Sequence, residues 1–184
     1  MSLALALALL LADASTGQTP GQSYDLRAGT LSYTLVHKLH EVTGSSQKLE
    51  GRALFLPDGT GRVQVRATVA SFESGNANRD EHMREATHEV AHPNASVKGT
   101  LQGLTLPLTA KTGVSLHATV ELNGVKQAVE ILLVLEPVAG GGVHGTFSFP
   151  VSLDAFKVER PELFFVKVDD KVVIRGDLTF EAPK

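Results

Sequence analysis

Cysteine and tryptophan are absent from this 184-residue chain, and aromatic residues make up only 5% of it. Without a thiol there can be no disulfide, thiolate nucleophile, iron–sulfur cluster or Cys-type zinc site. The core must hold by packing alone, which a chain of this length can do. A basic excess is missing too. The 17 basic and 20 acidic residues leave a net charge of −3, which speaks against nucleic-acid binding through phosphate contacts. No G-x-S-x-G elbow, phosphate loop, dinucleotide fingerprint or solenoid-type repeat occurs, so the chemistries tied to those motifs have no footing. What is present, 42% hydrophobic and 20% charged residues, describes one ordinary globular domain.

The longest apolar run, Ser2–Ala12, is shorter than the roughly 20 residues a bilayer-spanning helix needs. It matches the apolar region of a secretory signal peptide, and Ala12-Asp13-Ala14 supplies a small-x-small cleavage pattern, although no Lys or Arg precedes the run. Residues 1–14 are therefore expected to be a signal peptide, and the mature protein periplasmic or secreted, with no integral membrane segment left. No Cys follows to carry a lipid anchor. Ser15–Ser23, rich in Ser, Thr, Gly, Gln and Pro, reads as a flexible tether. The folded domain is expected over 24–184.

Within it, apolar and polar residues alternate. Val63, Val65, Ala67 and Val69 form one such row; Val143, Gly145, Phe147, Phe149 and Val151 another; Ile174, Gly176, Leu178 and Phe180 a third. Strands with one wet face are the mark of antiparallel sheets. Asn123-Gly124 between two such runs predicts a tight hairpin, because a type I′ turn needs φ > 0 at both central residues. Pro57-Asp58-Gly59, Gly140-Gly141-Gly142 and Asp169-Asp170 punctuate further strand pairs. Eight to ten strands at this spacing predict an all-β sandwich or barrel. Gly75–His92 breaks the pattern, and a short helix is expected over about 77–91, ending before Pro93. At 100° per residue, Met83, Ala86, Thr87 and Val90 share a stripe expected against the sheet or over a barrel mouth; Glu81, Glu85, His88 and His92 lie opposite.

That segment contains His88-Glu89-Val90-Ala91-His92, which matches the H-E-x-x-H signature of zinc proteases. There two histidines one helical turn apart hold zinc, and the glutamate activates its water. The surroundings do not follow: Pro93 stops the helix, Ala95 and Lys98 stand where a metzincin has Gly and His, and both histidines sit on the wet face. No metal site is predicted beyond weak, adventitious binding by His88, His92 and Glu85. His37 and His40, three apart in one strand-like segment, would point to opposite faces. His117 and His144 are isolated.

The order strand, Ser71-Phe72-Glu73-Ser74-Gly75-Asn76, then Arg79-Asp80 with His82-Met83 opening a helix, then Pro93 and another strand, resembles the central segment of the YceI-like proteins. Leu122–Val129 is similar to that family's L-x-G-V-x-x-x-V hairpin, and Phe147–Phe180 to its C-terminal strands. The resemblance implies an exported bacterial protein with an antiparallel lipocalin-like β-barrel of about eight strands and one short helical insertion. It further implies a cavity for a long-chain amphiphile, such as a polyisoprenoid, an isoprenoid quinone or a fatty-acid derivative. Inward apolar rows are expected at Tyr33, Leu35, Val65, Val69, Ile131, Leu133, Phe147, Phe149, Val166 and Ile174. Met83 of the signature segment joins them, and Arg79 and His82 are expected beside a polar head at the mouth. The implied protein is not an enzyme, needs no cofactor, takes a long-chain lipid or isoprenoid as partner, and leaves a homodimer open. The alternatives are a structural envelope domain with a filled core and, behind it, a zinc hydrolase using HEVAH.

Overall fold

Alternation gives every strand one face that must leave water, and short antiparallel connections let a sheet do this by closing on itself. The computed structural model describes residues 21–37, 40–160, 162–163 and 166–182. The leader and most of the tether lie outside the described residues. The strands are β1 (Gln22–His37), β2 (His40–Ser46), β3 (Leu49–Phe55), β4 (Gly61–Thr68), β5 (Asn94–Leu101), β6 (Thr112–Leu122), β7 (Val125–Val138), β8 (Gly142–Ser152), β9 (Glu162–Leu163), β10 (Val166–Lys167) and β11 (Lys171–Glu181); the helix α1 spans Ala77–Ala86. The tether thus ends earlier than composition suggested, since Gln22 and Ser23 are already strand.

The main sheet runs β11-β8-β7-β6-β5-β4-β3-β1-β2, and β11 also pairs with β1. The result is a closed antiparallel barrel of eight strands, with β2 as a continuation. The first part of β1 pairs with β3 (Gln22↔Phe55 to Asp25↔Arg52) and its last part with β2 (Leu31↔Ser46 to His37↔His40). His37 and His40 are therefore register partners on two paired strands, a correction to their placement in one strand. A bulge lies between Leu26 and Ala28 in the ladder to β11. An extra residue reverses which side chains point inward: Tyr24 is buried before it, and the odd-numbered Leu31, Tyr33 and Leu35 face the interior after it.

At the end where β3 turns into β4, Tyr24, Phe55, Leu101 and Leu104 are buried together and close the barrel. The Tyr24 and Phe55 rings meet edge to face at 5.6 Å, an arrangement favoured by their quadrupoles. At the other end, β2 would leave an open edge, and residues 69–73 cover part of it. Ser45 and Glu73 exchange two backbone hydrogen bonds (3.0 and 2.9 Å), and the Ser46 and Ser71 hydroxyls meet at 2.7 Å. Such an edge left bare invites pairing with another chain.

α1 starts at Asn76, whose side chain accepts from the Arg79 N–H, while the buried Asp80 accepts from the Ser74 N–H at 2.9 Å. The helix stops at Ala86 rather than running to 91. His88 adopts φ +48°, with its N–H on the Glu85 carbonyl and the Glu89 N–H on the Arg84 carbonyl. These are the two bonds of a Schellman cap, which terminates a helix in the left-handed conformation. Val90, expected on the sheet-facing stripe, is 96% exposed, because the chain has already left the helix.

Candidate functional site

The barrel encloses a cavity of about 770 Å³, within the range of small-molecule sites. Strand periodicity puts its wall residues in place. Val65 and Val69 come from β4 and the turn after it, Ile131 and Leu133 from β7, Phe147 and Phe149 from β8, Ile174 from β11, and Tyr33 and Leu35 from β1. Arg79, His82 and Met83 reach it from α1. All twelve lie on the cavity wall. Val166 does not belong to the barrel: β9 and β10 form a separate two-stranded ladder in which Val166 pairs with Leu163. Its side chain lies outside the described residues.

Two glycines shape the bore. Gly176 pairs with Phe147, and a Cβ there would stand 2.2 Å from the Phe147 ring; Gly44 pairs with Tyr33, and a Cβ there would stand 2.5 Å from that ring. Each aromatic ring therefore lies across a wall position that has no side chain, instead of projecting into the lumen. Tyr33 also touches Phe72 (centroids 5.8 Å apart), and Phe147 touches Phe149 (6.0 Å). Burial, and then the Asp80 charge, push the Tyr33 phenol above its ordinary pKa, partly offset by Arg79.

Charged side chains gather where α1 meets the barrel. Arg79 and Glu85 come from the helix, Glu121 from the end of β6, and Glu159 and Arg160 from the segment after β8. Arg79 donates to the Ser74 carbonyl (2.9 Å) and hydroxyl (3.3 Å); Arg160 donates to Asp154 (2.9 Å) and the Val168 carbonyl (3.3 Å). Sequence reading missed Phe72 and the acidic residues of this rim. The former stands in the signature segment as a motif position. Of the latter, Glu85 lies on the helix face opposite its apolar stripe, Glu121 is out of phase with the inward Leu116, Ala118 and Val120 of β6, and Glu159 stands in irregular backbone where no periodicity marks an inward side.

HEVAH does not form the helical turn that the zinc-protease signature requires. Its first histidine is the cap of α1, so the two imidazoles are not one turn apart on a helix. The His88 Nδ1 meets Asn123 Oδ1 at 2.9 Å, and the Asn123 amide donates to the Phe156 (3.1 Å) and Lys157 (2.9 Å) carbonyls. With the amide nitrogen spent on two acceptors, Oδ1 must accept, so Nδ1 carries the proton. His92 lies over Gly124, where a Cβ would come within 2.5 Å of its ring. Both histidines thus fasten the end of α1 to the β6–β7 hairpin. No group of three or more His, Asp or Glu able to hold a metal occurs among the described residues. A His88→Ala, His92→Ala double variant is expected to keep binding an uncharged apolar probe, since neither residue lines the cavity, but to release it faster because the end of α1 is loosened. Calorimetric titration should find no tight zinc in either protein; stoichiometric zinc lost in the variant would overturn this.

Comparison with known families and structures agrees with this geometry. The YceI-like domain model matches residues 23–180. A polyisoprenoid-binding domain from Saccharophagus degradans implicated in plant cell wall breakdown is similar at a TM-score of 0.70 and 17% identity, covering 88% of this chain and 99% of that one. BcnA from Burkholderia cenocepacia is similar at 0.70 and 16%, covering 82% and 95%. The Campylobacter jejuni YCEI protein is similar at 0.62 and 15%, covering 81% and 89%. A search of curated proteins finds no match. At these identities the structures speak for the fold, while the domain match extends over nearly the whole described chain. This chain belongs to the YceI-like family.

Proposed function

We propose that the protein is a binding protein that holds the hydrocarbon chain of a long amphiphile, such as a polyisoprenoid, an isoprenoid quinone or a fatty-acid derivative, inside the barrel. The observation that carries this reading is the cavity itself: about 770 Å³ walled by Val, Leu, Ile, Ala and Phe, with charged groups only where α1 meets the barrel. Each methylene moved from water onto such a wall contributes about 0.8 kcal/mol, so ten of them offset the usual cost of association. A domain whose core is filled by its own side chains would leave few voids larger than a water molecule; the open lumen favours a ligand over that alternative. The description of the Saccharophagus domain as polyisoprenoid-binding points the same way. Mass spectrometry of organic extracts from protein purified without detergent should find one long-chain lipid near stoichiometry. An extract empty of lipid, together with no uptake of apolar probes, would overturn the reading.

The glycine at 176 gives a sharper test. Gly176→Leu must push the Phe147 ring off the wall and into the lumen. A ring displaced into the lumen takes the space of the ligand's chain, so affinity for a long chain should fall roughly tenfold to a hundredfold, about 1.4–2.8 kcal/mol. Adding Phe147→Ala should restore most of the binding, which a misfolded variant would not do. Unchanged affinity in a folded Gly176→Leu protein would rule out this lumen as the site.

We further propose that the protein acts in the periplasm or outside the cell, after loss of residues 1–14. Its leader pattern supports this, and N-terminal analysis of native protein should place the first residue near Ser15. An intact Met1 would overturn it.

A further inference from the structure

The barrel wall is not hydrogen-bonded along its whole length. The ladder between β7 and β8 ends at Leu133↔Phe147, although β7 reaches back to Val125 and β8 runs on to Ser152. Leu122 pairs with Val125 across the β6–β7 turn, so alternation turns the N–H and C=O groups of Ala128 and Glu130 away from β6 and toward β8. They meet no backbone partner there among the described residues. Pro150, on the facing strand, has no N–H to offer. A slit therefore runs from the β6–β7 hairpin, beside α1 at the mouth, down the wall to Leu133 and Phe147.

Leu153–Val158 fills this slit. Leu153 and Val158 line the cavity, and Phe156 is 2% exposed. The segment is bonded within itself, Val158 N–H to the Leu153 carbonyl (2.9 Å) and Lys157 N–H to the Asp154 carbonyl (3.0 Å). Its two edges are fastened differently. On the β11 side, the Asp170 carbonyl accepts from Leu153 N–H (2.9 Å) and the Asp170 carboxylate from Asp154 N–H (2.8 Å). On the β7 side no backbone pair joins them among the described residues. Two side-chain amides do so instead: Asn123 donates to the Phe156 and Lys157 carbonyls, and Gln127 to the Ala155 carbonyl at 3.0 Å. One edge is a hinge and the other a latch. Stretches with so few backbone bonds open at the lowest free energy.

We propose that Leu153–Val158 is a lid over a lateral slit, through which the hydrocarbon chain enters and leaves the barrel sideways while its head stays at the mouth. This rests on the reading that the barrel holds an amphiphile, and adds how that site is loaded. End-on entry would thread the whole chain past α1. A slit continuous with the mouth admits it along its length, over the half-buried Val125 and Val129 on the inner side of β7.

Because the chain has no cysteine, Gln127→Cys with Ala155→Cys supplies its only thiols, one on each side of the latch. The probes are cis-parinaric acid and its methyl ester, followed by stopped-flow fluorescence. Joining the thiols with a bis-maleimide should slow uptake and release about tenfold or more, against the same protein with each thiol capped by N-ethylmaleimide. Gln127→Ala should speed both several-fold and leave Kd unchanged, since a lid alters the path and not the bound state. Gln127 isolates the lid, whereas Asn123 also holds α1 through His88. Equal rates in the linked and capped proteins would overturn the lid while leaving the lipid reading intact. Failure of the unmodified protein to bind either probe would overturn both.

Discussion

Phe149→Asp is expected to abolish lipid binding and to destabilise the protein more than any other single change considered. Phe149 is 4% exposed, lies on the cavity wall and touches the Phe147 ring. Removing a buried ring costs about 3–5 kcal/mol, and a carboxylate set among hydrocarbon adds several more unless it takes up a proton. The sign of the pH dependence follows. Burial raises the introduced carboxyl's folded pKa above its unfolded value of about 3.9, so its ionisation penalty is absent below pH 4 and grows as pH rises toward the folded pKa. Stability relative to the unmodified protein should therefore be closest at pH 4 and lowest at pH 8, read by urea unfolding. Phe149→Ala separates cavity from charge: it should lose stability with little pH dependence and still bind the probe. If Phe149→Asp binds the probe normally at pH 8, the wall assignment is wrong.

Asn123→Ala should produce the second largest effect, on stability and on ligand retention. Asn123 is 8% exposed and holds three parts of the mouth together: its own hairpin, the end of α1 through His88, and the Phe156 and Lys157 carbonyls beyond β8. Three hydrogen bonds at about 1 kcal/mol each are lost, and alanine at φ +51° adds about 1 kcal/mol of left-handed strain. A loss of about 4 kcal/mol lowers the midpoint of thermal unfolding by roughly 8–16 °C for a domain of this size. Asn123→Gly keeps the backbone free of strain and should lose about 1 kcal/mol less. Because Glu85, Val158 and Arg160 line the mouth on either side of this clasp, loosening it should speed ligand release more than it slows uptake, measured by stopped-flow probe displacement. A drop below about 1 kcal/mol would mean the amide does not bear the joint.

Alternation in sequence settled which residues of β4, β7, β8 and β11 face inward, because side chains in a strand switch sides at every residue regardless of what lies across the sheet. The Asn123-Gly124 turn was legible for a similar reason: φ values of +51° and +69° are cheap only for such residues. A lumen wide enough for a ligand was legible only through the family resemblance, since apolar rows alone fit a filled core equally well. Tertiary structure decided the rest. The bulge between Leu26 and Ala28 reverses the phase of β1, and closure of β1 onto β11 joins the two ends of the domain; both depend on partners far away in the chain. HEVAH reads as a helical metal motif by spacing, yet the cap at His88 and the acceptor waiting on Asn123 turn it into a clasp. The open bore was equally hidden, since Gly176 and Gly44 acquire meaning only when the sheet register sets an aromatic ring against each. Local periodicity depends on a residue and its neighbours in sequence, whereas a cavity is defined by what side chains from opposite walls leave unfilled.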